Sequence, residues 1–398
     1  MSEHPRFVTN KLIFAVIIAL LLQPLTGIDS NSSPSKLSDV EQISHSVQNE
    51  WTQSAGMASG GLGTIIWPNA MATDSSGDVL VAGMLLGDAQ FGTHTSSSNL
   101  QTGSPFQLAY VAKADSSTGN WDWLSETGEY GGGGFAMING IDTHGTDIYV
   151  CGWFSGNVTF GNSQYRSTQD TMDIFVSKLN SNGQFQWTAV AGGSTEDDAC
   201  EDITVDTNGN VFATGTFNGT ANFNSNSQTT SGKIDIWIAE MLTGQMTIGG
   251  NRWDWVYTAG GPEEDIGACV TTDGTHVYGC GWFTGTATFG NQQTQGVGQL
   301  SSYVVKLTGG SNAGSHVDVA SVGATGGIVQ IMDMVADSGT VYTTGHLVGA
   351  ANFGTHQIDS GNDRIIFVAE LSSSNLWSWA TPSDSGAYQT SRSIDLTN

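Results

Sequence analysis

Apolar and polar positions alternate in short runs along this chain, and the runs come in pairs around tight turns. In the stretch Asp202-Ile-Thr-Val-Asp-Thr-Asn-Gly-Asn-Val-Phe-Ala-Thr-Gly-Thr-Phe-Asn-Gly-Thr-Ala-Asn-Phe223, Val205, Val211 and Ala213 supply the period-two alternation of half-buried strands. Asp206-Thr-Asn-Gly209 lies between them, with Gly209 free to take a positive φ and Asp206 able to bond its own backbone, so a hairpin is predicted. A second turn is predicted at Asn218-Gly219.

Copies of this unit recur from end to end and are located by the glycine that closes the second strand: Gly83, Gly152, Gly215, Gly281 and Gly345. The spacings of 69, 63, 66 and 64 residues suit a four-stranded sheet and are too long for a helical hairpin repeat. A third strand reads as an apolar run, as in Asp173-Ile-Phe-Val-Ser177 and Asp235-Ile-Trp-Ile-Ala239. A fourth carries paired aromatics: Trp121-Asp-Trp123, Phe185-Gln-Trp187, Trp253-Asp-Trp255 and Trp377-Ser-Trp379, with His316-Val-Asp-Val319 as a weaker version. Strict alternation places both rings of a pair on one face. A sheet of this kind cannot bury its two faces alone, whereas stacking around a ring buries them. The fold class predicted is therefore all-β, a β-propeller of four-stranded antiparallel blades.

Blade bodies are placed at about 57–127, 129–193, 194–261, 262–327 and 328–386. Trp51-Thr-Gln-Ser-Ala-Gly56 resembles Trp187-Thr-Ala-Val-Ala-Gly192, a fourth strand without its first three, and 387–398 reads as a first strand that stops where its turn begins. Five complete blades with partial strands at both ends fit either a truncated six- or seven-bladed ring or a five-bladed ring with loose ends. The aggregation hazard of an unpartnered strand favours truncation.

The pattern Gly-Gly-x-x-acid-acid-Asp, followed by Ile-x-Val-Asp-x-x-Gly-Asn-Val-Tyr/Phe-x-x-Gly-x-Phe and a later Phe-Gly, resembles the SBBP β-propeller repeat family, named for seven-bladed propellers. Residues 194–327 carry the resemblance most fully, and 51–398 carry it through the hairpins. It implies architecture and an extracellular or surface setting, and it implies no reaction.

Charge and the N-terminus narrow the setting. Only 12% of residues are charged, with a net charge of −26, so the basic footprint that nucleic acid or anionic lipid requires is absent. Arg6 and Lys11 precede the apolar run Leu12–Leu22, which ends at Gln23-Pro24. Residues 1–27 are read as a signal peptide, with an uncleaved anchor as the rival, and 28–50 as a linker. The body is expected to be secreted or at the cell surface, with no membrane span after cleavage.

An exported setting favours disulfides. Cys269 and Cys280 flank the turn Asp273-Gly-Thr-His276 symmetrically and would face each other across a hairpin, which leaves Cys151 for Cys200. Four buried thiols are the rival reading, and the absence of a Cys-x-x-Cys pair speaks against metal binding by cysteine.

Acid triplets stand at equivalent loop positions, Glu196-Asp-Asp198 and Glu263-Glu-Asp265. Converging carboxylates from adjacent blades (Glu196, Asp197, Asp198, Glu263, Glu264 and Asp265) are a candidate Ca²⁺ site. The rival is that Asp198 and Asp265 bond backbone N–H groups where a blade begins. The turn at 206–210 resembles the start of an EF-hand loop but lacks its acidic twelfth position, so it is read as a hairpin turn. Trp153 and Trp282 occupy matching positions and are candidate carbohydrate-stacking residues, with packing between blades as the rival. Support for catalysis is weak: the eight histidines do not recur at a repeat position, and Asp142, Glu201, Asp202 and Asp206 are the axial carboxylates a glycosidase would use. The functional expectation is a binding or interaction module for a protein or carbohydrate ligand. A secreted polysaccharide-acting hydrolase or lyase, or a purely structural repeat of a larger surface protein, are the alternatives.

Overall fold

The computed structural model describes residues 54–57, 64–96, 107–193, 196–244, 252–309, 314–383 and 389–396. The leader, the linker and Trp51 lie outside them. The described chain is almost entirely antiparallel strand. Blade 1 is built from Ile65–Thr73, Val79–Leu86, Gln107–Ala114 and Trp121–Glu126, and blade 2 from Phe135–His144, Asp147–Ser155, Asp173–Leu179 and Phe185–Ala191. Blade 3 comprises Ala199–Val205, Val211–Phe223, Asn226–Met241 and Trp253–Ala259. Blade 4 begins with Asp265–Thr272, His276–Phe283 and Ser301–Thr308. Its last strand runs on into blade 5 as a single 22-residue strand, His316–Asp337. Pairing to blade 4 ends at Gly323 and pairing to blade 5 starts at Ala324. Thr340–Phe353, Ile365–Leu371 and Trp377–Pro382 complete blade 5.

The marker glycine has a steric cause. In every blade the first strand carries a one-residue bulge beside it, and the skipped residues are Asn69, Asn139, Glu201, Ala268 and Met332. The bulge pushes a first-strand carbonyl (Trp67, Met137, Ala199, Ile266 or Gln330) into the space that a Cβ on the glycine would need.

A second bulge corrects one sequence expectation. Lys113 pairs with Trp123 and Ala114 with Trp121, so Asp122 is skipped, and the same shift recurs in blades 2, 3 and 5. The two aromatics of a pair therefore point to opposite faces. Trp121 meets Phe91 edge-on at 5.1 Å within its own blade, while Trp123 packs into the junction with blade 2 and donates its indole N–H to the Ser181 carbonyl at 3.0 Å. Trp253 and Trp255 divide in the same way between the junctions on either side of blade 3.

The core is a series of junctions, each joining one face of a blade to the opposite face of the next. Leu80 and Val111 of blade 1 pack with Ile138 and Ile141 of blade 2, and Tyr149 and Val176 of blade 2 pack with Ile203 and Trp237 of blade 3. Ile236 and Ile238 then meet Val270, and Tyr278 and Val304 meet Met334 and Phe367. A fifth cluster around Leu85, Phe91 and Tyr110 belongs to blade 1, with Ala55 beside it. Strand Ala55–Met57 sets Gly56 opposite Gln90, the relation that Gly128 has to Thr159, Gly192 to Asn222 and Gly260 to Thr288.

The two cysteine pairs lie at the separations the sequence predicts for disulfides. Cys151–Cys200 ties blade 2 to blade 3 with a Cα–Cα distance of 5.7 Å, and Cys269–Cys280 closes the blade 4 hairpin at 5.0 Å. The loops they close span 49 and 11 residues, so chain entropy ranks the blade-to-blade bond as the stronger. Replacing Cys151 and Cys200 by serine is expected to cost about 4 kcal/mol, and replacing Cys269 and Cys280 about 3 kcal/mol. Urea melts of the two double variants check the order.

Candidate functional site

At the acid triplets the sequence places the last carboxylate where the chain enters a blade, and the backbone there is short of acceptors. Asp198 is fully buried and takes the Gly193 N–H at 2.8 Å and the Asn218 N–H at 2.9 Å; Asp265 takes the Gly261 N–H at 2.6 Å. Asp197 accepts from the Met172 N–H at 2.9 Å, and Glu263 pairs with Lys233 at 2.8 Å on the surface. The triplets thus serve two separate blade junctions. Among the described residues, no group of three or more His, Cys, Asp or Glu side chains is arranged to hold a metal ion.

Each junction also contains a second buried acid: Asp173 acts on Asp198, and Asp235 acts on Asp265. Burial outweighs the N–H bonds and pushes Asp198 and Asp265 up to about 7 and Asp173 up to about 6. Oδ1 of Asp173, Asp235 and Asp265 is enclosed without a hydrogen-bond partner.

The axial carboxylates are brought together. First strands of successive blades lie side by side, and Asp202 of blade 3 feels Asp333 of blade 5 as well as Asp142 of blade 2. Each of the three uses Oδ1 for the next residue's N–H and Oδ2 for an N–H across the junction. Asp142 takes Thr143 and Val205, both at 2.7 Å. Asp202 takes Ile203 at 2.8 Å and Val270 at 2.9 Å. Asp333 takes Met334 and Ile394, both at 2.8 Å. Asp142 and Asp202 are blade-to-blade staples, and Asp333 holds the C-terminal segment in the same way. Each oxygen of the three thus accepts one backbone N–H, while Glu201 accepts from a side chain, Asn139. Burial raises Asp202 to about 8 and Asp333 to about 6.

Bulge side chains form a polar ladder that the sequence reading did not anticipate. Asn69 Nδ2 donates to the Ile138 carbonyl at 2.8 Å, and Asn139 Nδ2 donates to the Cys200 carbonyl at 2.9 Å and to Glu201 Oε2 at 3.2 Å. Burial pushes Glu201 to about 7. The ladder stops where the bulge residues become Ala268 and Met332. Asn69, Asn139 and Glu201 each follow directly on the residue that pairs with the marker glycine, Pro68, Ile138 or Cys200.

Asp206 is a turn residue: Oδ1 takes the Asn208 N–H at 2.9 Å and the Asn210 N–H at 2.8 Å. With the turns of blades 4 and 5, around Asp273 and Asp337, it lines a depression of about 270 Å³. Trp153 and Trp282 are half-buried on second strands. Trp153 shares its strand face with Cys151, which is bonded to blade 3, so its indole lies on the side turned toward the following blade.

Five four-stranded antiparallel sheets, stacked through their faces with first strands side by side, define a β-propeller. Residues 186–224, from the last strand of blade 2 through the first hairpin of blade 3, match the SBBP family model, described as a beta-propeller repeat, so the chain carries that repeat. No curated protein matches the chain.

Proposed function

We propose that this protein is an exported binding and interaction module whose ligand docks on the side of blade 1 that faces away from blade 2. The observation that carries this reading is Met71, which is 71% exposed. Its counterparts Ile141, Ile203, Val270 and Met334 are 3–7% exposed because each packs on the blade before it. Met71 lies with the half-buried Val79 and Val81 on one face of the hairpin, and contiguous exposed apolar surface marks protein contact sites. The backbone bonds of Asp142 and Asp202 give them a structural role between blades, and the leader pattern and the two cysteine pairs support an extracytoplasmic location.

The experiment is export followed by ligand capture. Expressed with its own first 53 residues, the chain should be recovered outside the cytoplasm with its cysteines blocked to alkylation until reduction. Recovery inside the cell with four free thiols overturns the reading. A glycan array probed with the wild type, Met71→Glu, Trp153→Ala and Trp282→Ala separates the two surfaces, since capture on blade 1 is lost only in Met71→Glu and a sugar held by the indoles is lost only in the tryptophan variants.

A further inference from the structure

The four junctions inside the chain define what fits an uncovered blade face. At each one, the position after the axial bulge on one blade packs against the third-strand apolar pair on the blade before it. Ile203 thus meets Ile174 and Val176, and Val270 meets Ile236 and Ile238. Met71 of blade 1 presents the first half of such a junction, with no other blade among the described residues packed on it. Val81 beside it is only half-buried, although the matching Val150, Ala213 and Thr343 have no exposed surface.

Blade 5 presents the other half. The chain's own C-terminal segment lies along it, with the Gln389 N–H on the Arg364 carbonyl, Ser391 on Thr344 and the Ile394 N–H on Asp333, so a docking blade must displace it. Ile366 and Val368 are the counterparts of Ile174 and Val176 and of Ile236 and Ile238, all four of which have no exposed surface, yet Ile366 and Val368 are half-buried.

The staples give the same pairing. Asp202 Oδ2 of blade 3 holds the N–H of Val270, the first residue past the paired bulge position in blade 4. Asp333 Oδ2 of blade 5 holds the Ile394 N–H of the C-terminal segment in the same way. Met71 occupies the Val270 position of blade 1, opposite Val81. Asp74 and Asp78 are hydrogen-bonded partners, so strand alternation directs the Met71 N–H out of the sheet.

We infer that the open side of blade 1 docks the Ile366/Val368 side of blade 5 from a second copy of this chain, head to tail, with the Met71 N–H replacing the Ile394 N–H at Asp333. This identifies the partner at the surface on which the proposed function rests. The contact is heterologous, so it leaves one free end of each kind on every dimer. The charge of −26 opposes it at low salt and is screened at high salt.

The test is light scattering on the full chain across a concentration series in high salt. The wild type should form dimers and longer species. Met71→Glu and Ile366→Glu should each be monomeric, with unchanged circular dichroism and a dissociation constant at least about tenfold weaker. Each variant retains the half that the other has lost, so an equimolar mixture should recover a heterodimer that grows no further. A mixture that stays monomeric overturns the inference. A monomeric wild type also overturns it, and Met71 oxidation then shows why. A protected Met71 means the chain's own blade 5 or its first 53 residues cover the face, whereas an Met71 oxidised like a free methionine means no copy docks there. Both results leave export and ligand capture, on which the proposed function is judged, to be read separately.

Discussion

The protein should melt at a higher temperature at about pH 5 than at about pH 8, by on the order of 5 °C. Six buried carboxyls set the direction. Asp202 is raised to about 8, Glu201, Asp198 and Asp265 to about 7, and Asp173 and Asp333 to about 6, in each case chiefly because burial penalises the charged form. A carboxyl whose folded pKa lies above its unfolded value binds its proton more tightly in the folded chain. Its contribution is complete below the unfolded value, near 3.8 for Asp, and is lost as pH rises through the folded value. The loss therefore falls between about pH 4 and pH 8.

Two opposing sets limit the effect. His346, lowered to about 4 by burial and by Arg364, favours the folded state less as pH falls below the ordinary histidine range. Asp78 and Asp273 are lowered, and Asp115 is lowered to about 2, so their contributions are lost only at stronger acidity. The maximum consequently falls between about pH 4 and pH 5. Scanning calorimetry from about pH 4 to pH 8 measures the slope, and Asp202→Asn should flatten it. A melting temperature that is level or rises from pH 5 to pH 8 refutes the account. At the alkaline end the same melt, run in chelator and then in millimolar Ca²⁺, tests the acid triplets as a cation site. A shift supports that site, and an unchanged melt removes it.

Legibility in the sequence followed the range of the interactions. The hairpin at 206–210 is local, because Asp206 and the amides it holds lie within four residues, and its turn was readable. The Cys269–Cys280 pairing was readable for the same reason, as symmetry about one turn sets the partners. The rival structural reading of Asp198 and Asp265 followed from where a chain must bend into a blade.

Asp142 and Asp202 were visible as acids near the axis and Asp333 was missed, and the role of all three was hidden, since the amides they hold lie 63, 68 and 61 residues away. The aromatic pairs misled for another reason. Strict alternation predicts one face, and a single skipped residue at Asp122 or Asp254 reverses the second ring without leaving a mark in the sequence.

Gly215→Ala should cost about 3–5 kcal/mol, among the largest effects of any single substitution in the chain. The glycine is not needed for its dihedral freedom. It is needed because the bulge at Glu201 drives the Ala199 carbonyl into the volume a Cβ would fill, and the neighbouring atoms are backbone. Backbone within a paired strand cannot move aside as a side-chain tip can. Accommodating the methyl means straightening the bulge, which shifts Asp202 by one position and withdraws its carboxylate from the Val270 N–H of blade 4. One methyl group thereby breaks an inter-blade staple as well as a hairpin. Gly244→Ala, with nothing within 4 Å of the added carbon, is the control and should leave stability unchanged. Urea denaturation followed by tryptophan fluorescence compares the two. A Gly215→Ala protein within about 1 kcal/mol of wild type would mean that the bulge yields freely and that the marker glycine recurs for some reason other than the carbonyl beside it.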